Sequence, residues 1–236
     1  MLHEAVFCNT VVSGRAGVDG LGTACYKTNS CLVKEDVLLS ATLRATRSDS
    51  RLRHILDAAA GLFCEKGFHP TSMRDIAQAV SMLPGSLYYH FASKEDVLVA
   101  VYEEGVRMIS AAVSEAVARH IAPWERLEAA CIRHLETLLG GSDYAQVVIR
   151  VLPKDVPGAA ARLTSLRDSY EALFIGLCAE LPLPRGTHRG TMRLMLLGAL
   201  NWCPNWYRDA GLSPRNIARR FVQLLRTAQD TTGPAS

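Results

Sequence analysis

The chain has 236 residues, of which 49% are hydrophobic and 21% are charged, a composition typical of soluble globular proteins with a buried core. Its formal net charge is only +3, and residues 49–120 contain seven Lys and Arg against nine Asp and Glu, which excludes a polybasic nucleic-acid surface. No apolar run approaches the roughly 20 residues that span a bilayer. The first residues also lack the apolar stretch of a secretory signal, so the sequence predicts a cytoplasmic protein.

Residues 1–48 are predicted to form a tail without regular structure, because glycines interrupt every periodic pattern and no amphipathic face appears before Val33. One short helix near residues 34–44 is the only element expected there. An over-long start-codon assignment is the alternative origin of this segment. The seven cysteines of the chain are scattered and never spaced C-x-x-C, which favours reduced thiols. The alternative is redox sensing by three cysteines of the tail, Cys8, Cys25 and Cys31.

From residue 49 onward the apolar residues recur at helical spacing, and no strand pattern competes. The first predicted helix covers 50–66 and ends at Gly67. Ser72 begins the second helix, over 72–80, and Asp75 three residues later completes a capping-box pattern. The residues predicted to face the core from the second and third helices are Met73, Ile76, Ala77, Val80, Leu87 and Phe91.

Pro84 supplies the fixed φ of a first helical turn, so it begins the third helix, over 84–90. Ser93 and Asp96 repeat the capping pattern at the start of a long fourth helix, over 93–118. The later predicted helices cover 123–139, 143–152, 158–180, 187–203 and 213–228. Residues 229–236 are predicted to form a second short tail.

The second and third helices are joined by about three residues, the spacing of a helix-turn-helix motif whose second helix enters a major groove. Hydroxyl, imidazole and ammonium groups along this segment suit phosphate oxygens, and the predicted phosphate contacts are Ser72, Tyr88, Tyr89, His90 and Lys94. The predicted base contacts are Arg74, Leu83, Pro84, Ser86 and Tyr88. Gly85 is expected to let the third helix approach the groove closely. The alternative to a DNA-contacting role for Tyr88 and Tyr89 is that both are ordinary packing aromatics.

This segment resembles the DNA-binding domain of TetR-type transcriptional repressors. The residues that carry the resemblance are Phe63, Gly67-Phe68, Thr71 to Ala77, Gly85 to Phe91 and Ser93-Lys94-Glu95. The family commonly has glycine in the turn where this chain has Ser81, and a serine there adopts a left-handed conformation at some steric cost. The resemblance implies an all-α dimer, in which a three-helix DNA-binding domain is joined to a helical ligand-binding and dimerisation domain.

The predicted domains are accordingly a helix-turn-helix domain over 49–95 and an effector-binding and dimerisation domain over 96–228. The helix over 187–203 is apolar nearly all round, so it must be covered on more than one side. Packing against a second copy is the predicted cover, and a central core helix in a monomer is the alternative.

A second resemblance lies near the end of the chain, in the run Asn201-Trp202-Cys203-Pro204-Asn205-Trp206-Tyr207-Arg208. This run is similar to the C-terminal domain of TetR-type regulators of fatty-acid and sterol catabolism, several of which respond to acyl-CoA thioesters. An effector of that class needs an apolar tunnel for its acyl part and cations for its phosphates. The residues selected as effector contacts are Trp202, Arg150, Tyr170, Phe174, Arg193 and Trp206. Further cationic candidates for phosphate binding are Lys154, Arg162 and Arg167.

The sequence therefore predicts a repressor that binds a palindromic operator as a dimer. A small hydrophobic effector, of the acyl-CoA type, would release it by tilting the fourth helix. A regulator of drug efflux that senses aromatic or cationic compounds is the first alternative, because it would share the DNA-binding half. A lipid-metabolism enzyme is the remote alternative. The sequence has no nucleophile elbow, no Walker loop and no clustered His/Cys spacing, so no cofactor or metal site is predicted.

Overall fold

The computed structural model describes residues 49–230, and the predictions for residues 1–48 and 231–236 lie outside this part of the chain. The described residues form α-helices, two short 3₁₀ turns and no strand. The helices are α1 (49–65), α2 (Met73–Ala79), α3 (Pro84–His90), α4 (Lys94–Val117), α5 (Pro123–Leu139), α6 (Asp143–Arg150), α7 (Ala160–Ala179), α8 (Arg189–Trp202) and α9 (Pro214–Asp230). None of them is long and apolar enough to cross a membrane.

The capping signals of the sequence have the predicted geometry. The Ser72 hydroxyl accepts the Asp75 amide at 3.2 Å, while the Asp75 carboxylate accepts the Ser72 amide at 2.7 Å. Helix α4 also begins at a serine N-cap, where the Ser93 hydroxyl accepts the Asp96 amide at 3.1 Å. Each bond satisfies an amide that has no partner within its helix, which fixes where the helix starts.

Helices α1 to α3 enclose the first of two hydrophobic cores. All six residues predicted to face inward from α2 and α3 are buried there, together with Ile55 and Phe63 of α1. The first half of α4 closes the same core with Val97, Leu98 and Tyr102. The predicted domain boundary at residue 95 therefore falls at the start of one continuous helix, which contributes to both halves of the protein.

The second core lies between the later part of α4 and helices α5, α7, α8 and α9. Leu127, Leu135 and Leu138 of α5 are fully buried in it, as is Leu200 of α8. Helix α5 packs against α4 on one side and α9 on the other. This bundle is the C-terminal helical half of the protein.

Four predicted helix bounds differ from the structure by two residues, including the starts of α7 at Ala160 rather than residue 158 and of α8 at Arg189 rather than residue 187. Helix α6 ends at Arg150 rather than residue 152, because Pro153 disfavours a helical conformation for the residue before it, and a 3₁₀ turn over Pro153–Asp155 follows. Helix α9 continues to Asp230, so the first two residues of the predicted C-terminal tail belong to a helix.

Candidate nucleic-acid interface and ligand cavity

The turn between α2 and α3 places α3 across the outer face of the first domain. Ser81 has a φ of +54°, the left-handed conformation predicted for this position. Its amide donates to the Gln78 carbonyl at 3.1 Å, and the Met82 amide donates to the Ala77 carbonyl at 2.8 Å. This pair of bonds is a Schellman motif, which ends α2 with a residue in the left-handed region and redirects the chain into α3.

The candidate DNA-binding surface consists of the exposed side chains of α2, α3 and their turn. Leu83 is 77% exposed, Tyr88 is 53% exposed and Tyr89 is 89% exposed. The other exposed members of the predicted set are Ser72, Arg74, Pro84, Gly85 and Ser86, while His90 is half-buried against Tyr89. No heavy atom lies within 4 Å of the position that a Gly85 side chain would take, so the face of α3 is open there. The surface brings together nine of the ten predicted DNA contacts.

Lys94, the tenth predicted contact, has its ammonium group turned toward the protein. The ammonium donates to the carbonyls of Phe68, His69 and Thr71 at 2.8, 3.1 and 2.7 Å, and it lies 4.3 Å from the centre of the Phe68 ring. All three N–H donors are thus used inside the domain. Contact with a phosphate would require one of these bonds to break, so the structure assigns Lys94 to holding the segment that leads into α2.

Ser72 is similarly engaged. Its hydroxyl donates to the Asp75 carboxylate at 2.6 Å, and the hydrogen bonds from Ser72 lower the pKa of that carboxyl. The Ser72 hydroxyl could donate to a phosphate only if its hydrogen bond to Asp75 were broken. Among the predicted contacts, Arg74, Ser86, Tyr88 and Tyr89 are exposed and carry donors that have no such commitment among the described residues.

A cavity of about 410 Å³ lies among α4, α5, α6, α7 and α8. This volume is within the range of small-molecule sites, and much of the wall is apolar. The lining residues are Gly105, Val106, Ile109, His134, Ala145, Val148, Ile149, Arg150, Leu152, Arg167, Tyr170, Glu171, Leu197, Gly198, Asn201, Trp202 and Asn205. Of the six predicted effector contacts, the lining includes Arg150, Tyr170 and Trp202.

The other three predicted effector contacts do not line this cavity. Phe174 is fully buried behind the wall, where it packs edge-on against His134 and Tyr170. Arg193 has its guanidinium paired with the carboxylate of Glu171. Trp206 follows the second 3₁₀ turn and is 43% exposed. Phe174 and Arg193 lie in helices as predicted, but the rotation of these helices relative to the cavity depends on packing between helices.

A polar network centred on the buried side chain of His134, which the sequence did not predict, lies at the cavity wall. Nδ1 of His134 is 2.6 Å from the Tyr170 hydroxyl, and Nε2 is 3.0 Å from Oδ1 of Asn201. The imidazole also stacks on the Tyr170 ring at 5.8 Å between centroids. Burial lowers the pKa of His134 to about 4, so the ring is neutral near pH 7. The available signal was a polar residue on an otherwise apolar helix face, at His134 in α5 and at Asn201 in α8.

Helix α6 connects the cavity wall to the DNA-binding half. Tyr144 donates its hydroxyl to the Asp57 carboxylate of α1 at 2.7 Å, and Arg150 donates to the Cys64 carbonyl at the end of α1 at 3.3 Å. Tyr102 of α4 donates to the Val148 carbonyl at 3.0 Å. Hydrogen bonds therefore join α6 to both α1 and α4.

Two family models match the chain over separate segments. The model described as "Bacterial regulatory proteins, tetR family" matches residues 55–101, and "Tetracyclin repressor-like, C-terminal domain" matches residues 120–228. The chain belongs to the tetR family. The TetR resemblance and the all-α fold with an N-terminal helix-turn-helix are thereby confirmed. The curated relatives of this TetR-family chain are named as regulators of transcription, which is contrary to the enzyme alternative.

The most similar proteins include named repressors. The chain is 35% identical over 105 residues to the HTH-type transcriptional repressor KstR2 of Mycobacterium tuberculosis, covering 44% of this chain and 52% of that relative. Hence it spans about half the length of that relative. With KstR2 of Rhodococcus jostii it shares 27% identity over 186 residues, which is 74% of this chain and 89% of that protein.

Solved structures share the fold over most of their length. The crystal structure of AibR in complex with isovaleryl coenzyme A and operator DNA aligns with a TM-score of 0.65 at 25% identity, covering 74% of this chain and 97% of AibR. The crystal structure of superantigen PfiT aligns with the same TM-score at 31% identity, covering 74% of this chain and 95% of that one. Both the DNA-binding and the cavity-bearing halves therefore have structural counterparts.

Within residues 49–230, no group of three or more His, Cys, Asp or Glu side chains is arranged to hold a metal ion. The four cysteines in this range, Cys64, Cys131, Cys178 and Cys203, are free thiols. Burial raises the pKa of each of these thiols, which lowers the fraction that is present as the reactive thiolate.

Proposed function

We propose that this TetR-family protein is a ligand-controlled repressor, which binds a palindromic operator as a dimer and is released when a small hydrophobic effector enters the cavity. The observation that carries the proposal is the position of α6, which lines the cavity with Val148 and Arg150 and hydrogen-bonds α1 through Tyr144 and Arg150. A ligand that displaces α6 would alter the orientation of the DNA-binding domain.

The DNA contacts proposed for this surface fall into two groups. Tyr88, Tyr89 and His90 would position the domain on phosphate oxygens, and Arg74 and Ser86 would reach base edges. Leu83 and Pro84 would make apolar contact with thymine methyl groups. Because the domain carries few cations, phosphate binding would depend largely on neutral donors. We therefore expect a shallow dependence of operator affinity on salt concentration.

Dimerisation is proposed through the outer faces of α8 and α9. Leu194, Met195 and Trp202 are 60%, 58% and 64% exposed and lie within one 100° arc of α8, and Leu224 of α9 is 69% exposed. A strip of large apolar side chains is rarely left in water on a monomer. Covering it with the same strip of a second copy would produce the two-fold symmetry that a palindromic operator requires.

An acyl-CoA thioester is the proposed class of effector. The cavity would hold the acyl group against Val106, Ile109 and Leu197, while Arg150 and Arg167 lie where they could pair with phosphates outside. The structural neighbour AibR is titled as a complex with isovaleryl coenzyme A, which supports this class. The drug-efflux alternative would require an uncompensated carboxylate for a cationic ligand. Glu171 is the one carboxylate among the lining residues, and Arg193 already pairs with it.

The proposal is tested by selecting duplexes from a random DNA pool with the full chain, and then measuring binding by fluorescence anisotropy. We expect a palindromic sequence to be enriched and to be released by an acyl-CoA such as isovaleryl-CoA, but not by coenzyme A alone. Tyr89→Phe should weaken operator binding, whereas Tyr207→Phe, a matched change outside the surface, should not. Failure to enrich any duplex would refute the DNA-binding role.

A further inference from the structure

The network of Tyr170, the buried His134 and Asn201 determines which hydrogen-bonding groups one part of the cavity wall offers to a ligand. Oδ1 of Asn201 can only accept, so Nε2 of His134, 3.0 Å away, must carry a hydrogen. In the neutral ring Nδ1 is then an acceptor, and the Tyr170 hydroxyl at 2.6 Å must donate to it. The Nε2 hydrogen of His134 and the hydroxyl hydrogen of Tyr170 are therefore both used within the network, and neither is free to bind a ligand.

The Nδ2 group of Asn201 has no hydrogen-bond partner among the described residues, and Asn201 lines the cavity. Its two hydrogens are the unused donors of the network. The oxygen of Tyr170 retains a lone pair, but its hydrogen is committed to His134. The network thus presents an amide donor to the cavity and offers no positive charge, because the imidazole between the two groups is neutral.

A ligand group that meets this wall must accept a hydrogen bond without carrying a negative charge. A carbonyl oxygen of a thioester, ketone or amide satisfies both conditions. A free carboxylate would leave water and face the Tyr170 oxygen and the Asn201 Oδ1, and the network itself supplies no cation to compensate it, which is costly in an apolar site. The two cations of the cavity lining, Arg150 and Arg167, are more exposed than His134, which is only 2% exposed.

We propose that Asn201, oriented by His134 and Tyr170, is the specificity-determining residue of the cavity, and that it selects ligands with an uncharged carbonyl over the corresponding carboxylates. This inference rests on the proposed ligand-binding role of the cavity. His134 and Tyr170 act as positioning residues, because His134 holds the amide by its Oδ1 and Tyr170 fixes the tautomer of His134.

The test measures binding of two matched ligand pairs to the full chain by calorimetry and by saturation-transfer NMR. The first pair is hexanoyl-CoA and S-hexyl-CoA, a thioether that lacks only the carbonyl oxygen. The second pair is 2-octanone and octanoate, which need no contact with a coenzyme A site. Removal of one neutral hydrogen bond should weaken binding by roughly two- to tenfold. We therefore expect each carbonyl ligand to bind more tightly than its partner by about that factor.

The Asn201→Ala and Tyr170→Phe variants should lose this carbonyl preference, whereas Asn216→Ala, an exposed asparagine of α9, should retain it. Octanoate binding as tightly as 2-octanone, a preference that survives Asn201→Ala, or no binding of any carbonyl probe would each overturn the inference. The ligand pairs test the unmodified protein, so the result stands if a variant fails to fold. Carbonyl selection without operator binding would refute the proposed repressor function and leave this inference intact.

Discussion

Replacing Ser81 with glycine should stabilise the protein, because Ser81 adopts a φ of +54° as the left-handed residue of the Schellman motif that ends α2. A residue with a side chain pays about 1–2 kcal/mol for this conformation. Glycine avoids that cost but loses about 0.4–1 kcal/mol through the greater freedom of its unfolded chain. The net gain expected is about 0.5–1 kcal/mol, and for a protein of this size it corresponds to a rise in melting temperature of about 1–4 °C.

The measurement is thermal and urea unfolding followed by circular dichroism at one protein concentration, since a dimer has a concentration-dependent melting temperature. Ser114→Gly is the matched control, because Ser114 is an exposed residue inside α4. That change should destabilise the protein by about 0.5 kcal/mol, since glycine has the lower helix propensity. If Ser81→Gly lowers the melting temperature as Ser114→Gly does, the strain assigned to Ser81 does not exist.

Three further changes test the structure. Lys94→Met should cost about 2–4 kcal/mol in urea unfolding because three carbonyls lose an ammonium donor, whereas Lys66→Met, at an exposed site, should be nearly neutral. Gly105→Ala should cost about 1–3 kcal/mol, since the new carbon would lie 2.8 Å from Val148 Cγ2 and 2.9 Å from the Tyr144 carbonyl oxygen; Gly176→Ala, at an open site, should not destabilise the protein. The folded-state pKa of His134, about 4, lies below its unfolded value of 6.5, so its stabilisation is complete above pH 6.5 and is lost as the pH falls toward 4. The unfolding free energy lost between pH 6.5 and pH 4 should therefore be about 3 kcal/mol smaller in His134→Gln than in the unmodified protein. An unchanged pH dependence would contradict the burial of His134 in the structure.

The sequence predicted the helices closely because their ends are determined by local chemistry. The capping box at Ser72, the N-cap at Ser93 and Pro84 at the start of α3 act within four residues of themselves, so no knowledge of the tertiary structure was needed. The left-handed turn at Ser81 was predicted from the family resemblance rather than from a residue preference. Its cause is visible only in the hydrogen bonds to Gln78 and Ala77.

The cavity was harder to predict, because its lining depends on how five helices are rotated about their axes. Tyr170 and Phe174 are one helical turn apart, yet one lines the cavity and the other is fully buried behind it. His134 and Asn201 lie on different helices, 67 residues apart in the chain, and meet only in the folded protein. The role of Lys94 was hidden for the same reason, since its carbonyl partners lie 23 to 26 residues earlier.

The contact between α4 and α6 constrains which helices the proposed ligand could displace. Gly105 allows the backbones of the two helices to approach so closely that a single added carbon would collide with the Tyr144 carbonyl, and Tyr102 fastens the same helices through the Val148 carbonyl at 3.0 Å. Two helices joined in this way cannot slide independently. Under the proposed mechanism, a ligand that pressed on Val148 would therefore shift α4 as well as α1. The predicted tilt of α4 would then accompany the displacement of α6 rather than occur in its place.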